Sequence, residues 1–192
     1  MKKKYKMIPE GSMYRVEALR NFGLVKKGDK GGLIENELNL SHDGNSWVYN
    51  DARIYGAAKV CDDAVISGNA QVFDNAVVYG NAEVYEKAKI YGDAHIYDSA
   101  QVYGDAIVFG NARVYGAAEI CGSAEVCSKA DYIVFKNWWS SGRYFTWTRS
   151  NGMWKVGCFF GSGEELIEKA YSDSEEKGKE YERIVRYVEF IC

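Results

Sequence analysis

No run of 18 consecutive apolar residues occurs in this 192-residue chain, so nothing in it reads as a membrane-spanning helix. The basic start, Met1-Lys2-Lys3-Lys4-Tyr5-Lys6, is not followed by the apolar core of a signal peptide, which argues against secretion. The five cysteines (Cys61, Cys121, Cys127, Cys158, Cys192) are scattered and form no Cys-x-x-Cys pair. Neither a zinc site nor a disulfide framework is therefore expected, and a reducing cytoplasm is the expected compartment. Histidine is limited to His42 and His95.

Charge is missing in places too. Net charge is −3, but residues 136–163 hold four basic residues and no acid, while residues 46–135 hold six basic residues and twelve acids. A long acidic segment is a poor general nucleic-acid surface, because neutralising phosphates needs a basic face. Hydrophobic content of 47% is that of a folded chain. The length suits one ordinary domain or a solenoid with small caps.

What is present is a repeat. Ala occupies every sixth position from Ala52 to Ala130 without a gap, and Ser46 begins the series. Two residues after each small residue, from Val48 to Val126, stands Val or Ile. One hexad reads Ala76-Val77-Val78-Tyr79-Gly80-Asn81. Residues two apart on a strand face the same side, so Ala and Val share the inner face. The Gly-Asn pair tolerates the positive φ of a sharp corner. One hexad is then a short strand and a corner, and three hexads close one triangular coil. Coils stacked at about 4.8 Å make five coils a prism roughly 24 Å tall. A period of six fits no α-helix, and three-residue strands make no stable open sheet.

This pattern resembles the left-handed hexapeptide β-helix. The resemblance covers residues 46–132 and implies the left hand and a homotrimer. The expected fold class is thus an all-β solenoid, a left-handed parallel β-helix of about five coils. It carries a small N-terminal β cap over residues 1–45, an aromatic and basic β-hairpin over 133–161, and a helical tail over 162–192. In the cap, Tyr14–Leu19 reads as a strand and the Gly-rich stretch from Lys26 to Gly32 as a solvated turn or an anion-binding nest. In the tail, Ser162-Gly163-Glu164-Glu165 resembles a capping box, and Gly178 marks a break before a helix with Tyr181, Ile184, Val185 and Val188 on one face.

Two outer residues per hexad point to solvent. The one after Val or Ile is aromatic at most positions, and at 18-residue spacing these stack, as in Tyr55–Phe73–Tyr91–Phe109. A structural ladder, a subunit interface and a ligand-stacking surface are all open readings of it.

Enzymes of the hexapeptide fold are commonly acyltransferases that use a His base and a loop thrown over the cofactor. His95 sits on an outer position here, but no insertion interrupts residues 46–130. His42 reads as part of a turn. No catalytic residue, metal ligand or cofactor is assigned, and an acyltransferase using His95 stays as the alternative.

The binding signal lies after the repeat. Trp138, Trp139, Arg143, Tyr144, Trp147, Arg149, Trp154 and Lys155 fall close together, with Ser150-Asn151-Gly152 as the turn between strands. Aromatic faces with cations suit a nucleobase and phosphate, so these eight are the expected ligand-binding residues. Plugging the solenoid end is the competing use for the rings.

Lys27-Gly28-Asp29-Lys30-Gly31-Gly32, the run Asn39 to Tyr49, the hexads, and the ending Phe145 to Leu166 together resemble a family of phage and prophage proteins. That resemblance spans nearly the whole chain. It implies a host-directed, non-enzymatic, homo-oligomeric binding protein in the bacterial cytoplasm, one form of which sequesters a nucleotide immune signal. A structural scaffold that binds a host defence protein is the third reading.

Overall fold

The computed structural model describes residues 3–138 and 141–192. They form two compact units, residues 1–129 and 130–192.

The first unit is the solenoid and its cap. Two antiparallel strands, β1 (Tyr5–Glu10) and β2 (Met13–Ala18), lead to β3 (Lys30–Ile34), which pairs with β2. Fourteen two-residue strands, β4 to β17, then follow at six-residue spacing, from Trp47–Val48 to Glu125–Val126. Each pairs in parallel with the strand 18 residues away, as in Lys89 with Gln71 and with Ile107. Three parallel sheets result, one per side of the coil. The molecule is a β-solenoid of about five turns, as the hexads predict.

The interior follows the same count. Each Ala from Ala52 to Ala124 and each Val or Ile from Val48 to Val126 is sealed from solvent. Each buried Val or Ile contributes about 1.5–3 kcal/mol of transfer free energy. The ladder ends at Val126, and Ala130 is exposed. Tyr132, which falls at a Val/Ile position by count, instead opens a strand of the second unit.

The corners carry an alternation. From Asn50 to Gly122 the fifth residue of each hexad has positive φ, and up to Gly104 Gly alternates there with Asn50, Asp62, Asp74, Glu86 and Asp98. Three hexads per coil is an odd number, so Gly and acid also alternate up each edge. The acid side chain of one coil then accepts the N–H of the Gly above it: Gly80 donates to Asp62 at 3.0 Å, Gly104 to Glu86 at 2.9 Å and Gly116 to Asp98 at 3.1 Å. A Cβ on Gly92 would lie 2.9 Å from the backbone N of Gly110 in the next coil. Glycine is required there for both space and φ.

The cap closes the first coil by joining its ladder, since β3 pairs in parallel with Arg53–Ile54. Gly31 and Gly32 lie so close to that coil that a Cβ on either would sit 2.5 Å from the carbonyl oxygen of Val48 or Ala52. These glycines serve backbone packing in a strand, which removes the expected turn or anion nest from the 30–32 end of that stretch. Trp47 is buried against Phe22 and Tyr5. Lys4 is fully buried, and its Nζ donates to the Ser46 carbonyl at 2.8 Å and to Ser46 Oγ at 3.2 Å. Burial pushes its amine down from 10.5 to about 8.

The second unit is an antiparallel sheet in the order β18 (Tyr132–Lys136), β19 (Tyr144–Thr148), β20 (Met153–Val156), β21 (Phe159–Gly161). The expected hairpin is its centre, β19 with β20. Helix α1 (Gly163–Asp173) starts on Ser162, whose Oγ accepts the Glu165 N–H while Glu165 reaches back to the Ser162 N–H. Helix α2 (Glu175–Ile191) starts on Ser174. The break between helices is therefore at Ser174, and Gly178 lies inside α2. It is glycine because a Cβ there would run into the ring of Tyr171.

Candidate functional site

Strand alternation sorts the eight expected binding residues. Phe145 and Trp147 on β19 are in register with Val156 and Trp154 on β20. All four turn to the helices and form one core with Leu166, Ile167, Tyr181, Val185 and Val188. Trp154 keeps 1% of its surface and Trp147 9%. These two expected binding residues are core residues of their own unit. Their indoles lie between the sheet and the helices, as the apolar side of a two-layer sheet requires.

The neighbouring positions turn the other way. Tyr144 is 42% exposed and in register with Lys136. Trp138 follows the end of β18 and is 73% exposed. Lys136 Nζ sits 4.0 Å from the centre of the Trp138 ring and 5.3 Å from that of Tyr144. An ammonium held over two rings fixes both, by about 0.5–1 kcal/mol per contact at an exposed site. Arg143 is exposed just before β19, its stem beside Gly157, and Arg149 is exposed just after that strand. Lys155 is half-buried, with Nζ donating to the Gly157 carbonyl at 2.5 Å. Trp139 lies outside the described residues. The surviving patch is therefore Trp138 and Tyr144, with Lys136 added; Arg143 falls on the alternate face with Phe145, Arg149 follows β19 and Lys155 belongs to β20.

Beside it is an apolar groove of about 520 Å³. Ile133 and Phe135 of β18 form one side, and Ile184, Tyr187, Val188 and Ile191 of α2 form the other. Lys136, Glu180 and Arg183 add charge to its lining. Tyr187 is 64% exposed and Phe190 87%. The sequence reading missed this groove. The available signal was surplus: Tyr181, Val185 and Val188 already supply the packed stripe of α2, so Tyr187, Phe190 and Ile191 have no core to fill.

The solenoid offers fewer options. The ladder rings stack at coil spacing, Tyr55–Phe73 and Phe73–Tyr91 at 4.9 Å and Tyr91–Phe109 at 5.3 Å, with planes within 16°. Tyr79–Tyr97–Tyr115 and Tyr85–Tyr103 repeat this on the other edges. An interior ring has both faces covered by its neighbours, which leaves no face for a planar ligand. Burial pushes the Tyr85 phenol up to about 12, and burial with a Cys121 hydrogen bond pushes Tyr103 up as well.

His95 stands in register with Val77 and Arg113, its ring against the edge of Tyr79 at 6.3 Å. Among the described residues, no hydrogen bond orients that ring. His42 is the reverse case. Its Nδ1 accepts the Lys4 N–H at 3.2 Å, its Nε2 meets Glu37 at 2.8 Å, and its ring stacks on Tyr5 at 4.3 Å. With Nδ1 accepting, Nε2 carries the proton and donates to Glu37, so the ring's one lone pair is not available to a substrate. Among the described residues, no group of three His, Cys, Asp or Glu side chains could hold a metal ion, and no helix is long and apolar enough to cross a membrane.

Comparison with known families agrees with this geometry. The family described as YdcK beta solenoid repeat matches residues 70–86 and 100–116. Both stretches lie in the stacked coils, and the chain is a repeat β-helix protein. No curated protein matches the chain.

Proposed function

We propose that this is a non-enzymatic binding protein, in which the solenoid is a rigid scaffold and the second unit carries recognition. The carrying observation is the exposed pair of rings, Trp138 and Tyr144, held by Lys136 in a segment without acids. Its chemistry suits a planar anionic ligand of nucleotide type: rings supply stacking and cations meet phosphate. Sequestering a nucleotide immune signal of a bacterial host is the form suggested by the resemblance to phage proteins.

Calorimetry against cyclic nucleotides and ADP-ribose derivatives tests it. Binding is expected for at least one, and Trp138→Ala or Lys136→Ala should weaken it at least tenfold. A complete absence of binding across the panel removes the nucleotide reading. The uninterrupted coils and the unoriented His95 support a non-enzymatic role over acyl transfer. Acetyl-coenzyme A turnover lost on His95→Ala would reverse that preference.

A further inference from the structure

We propose that the second unit binds a second copy of this chain, edge to edge along β18, with the apolar groove continuing into the contact. The argument begins with backbone direction. Asn137 N–H donates to the Arg143 carbonyl and Arg149 N–H donates to the Asp131 carbonyl, so the odd-numbered residues of this stretch point their polar groups at β19. Antiparallel pairing alternates, so the N–H and C=O of Val134 and Lys136 point the other way. Among the described residues, β18 pairs with β19 alone. Such an edge is a template for a further strand.

The sequence of β18 is suited to its own copy. A two-fold axis through Val134 sets it opposite itself, exchanging two N–H···O=C bonds. Ile133 then faces Phe135 of the second copy, on the face that lines the groove. An isologous contact requires this self-complementarity. Tyr187, Phe190 and Ile191, the exposed apolar end of α2, continue the surface. This contact is distinct from the homotrimer implied by the hexapeptide resemblance and from whatever Trp138 binds.

Sedimentation of the full chain, from micromolar to near-millimolar concentration, tests the proposal with two variants. Val134→Pro removes an N–H that β19 does not use, and proline is tolerated on such an edge. Tyr187→Glu puts a charge on a side chain that is 64% exposed, so folding should survive it. The expected result is that the wild-type mass halves in each variant, with the helical circular dichroism signal unchanged. A wild-type chain that stays monomeric overturns the proposal, even if it captures an extended apolar peptide. So does an oligomer whose mass neither variant changes. If Val134→Pro fails to fold, Tyr187→Glu alone decides.

Discussion

The two units bury apolar surface by different means. At the inward positions of the hexads no side chain is larger than Ile, and each coil offers its neighbours the same Ala and Val or Ile positions. In the second unit a few large rings, Phe145, Trp147, Trp154 and Tyr181, fill one space between a sheet and two helices. Stability in the first unit is a sum over similar interfaces, whereas in the second it is concentrated. Surface differs correspondingly. The coils turn stacked rings outward, faces already occupied, while the second unit leaves ring faces and an apolar groove open. The proposed binding function rests on the unit whose exposed side chains have no structural task.

The largest effect should come from the concentrated core. Trp154→Ala removes a fully buried indole that packs edge-on to Phe145, at a cost of about 3–5 kcal/mol. Ile90→Ala in a central coil should cost about 2–5 kcal/mol. Two denaturation transitions, followed separately, are expected, with each substitution lowering mainly the one for its own unit. If both substitutions lower a single shared transition equally, the contrast between units is wrong.

The capped end of the solenoid gives a pH test. Lys4 titrates near 8 in the fold and near 10.5 when unfolded. Below pH 8 the fold bears the whole cost of burying the ammonium. From pH 8 to 10.5 the unfolded chain holds the extra proton, so stability should rise, by roughly 3 kcal/mol in all. Tyr85 acts oppositely and later: with its phenol raised from 10.0 to about 12, stability falls as pH climbs above 10. Denaturant midpoints at pH 7 and 9.5 should rise in the wild type and not in Lys4→Met. Identical pH dependence in the two chains would contradict the assignment.

How much of this was legible in sequence follows the same divide. Ala and Val at period six fixed the coils, the pairing partners and the buried positions, because burial there depends only on place in the hexad. The Gly–acid alternation was in plain view as well, Gly80 above Asp62 and Gly92 above Asp74. Its role is not visible along the chain, because the bond it makes is between coils. In the second unit four tryptophans looked alike. Trp147 and Trp154 differ from Trp138 only through strand register and the position of two helices, which no periodicity announces. Gly178 misled for the same reason: its cause is the ring of Tyr171, seven residues away.

The smallest effect tests the corner alternation. Asp74 and Gly92 are consecutive members of one edge, and the Asp74 carboxylate accepts the Gly92 N–H at 3.2 Å. Gly92→Ala forces a Cβ against the Gly110 backbone and a positive φ on alanine, at about 1–2 kcal/mol. Asp74→Gly keeps the left-handed corner easy and loses only an exposed hydrogen bond, so about 0.5–1.5 kcal/mol is expected. Asp74→Ala loses the same bond and adds the strain of φ +57°, so it should be the worse of the two. Chemical denaturation of the three variants gives the order. If Asp74→Ala matches Asp74→Gly, acids occupy alternate corners for their hydrogen bond alone, and backbone conformation has no part in choosing them.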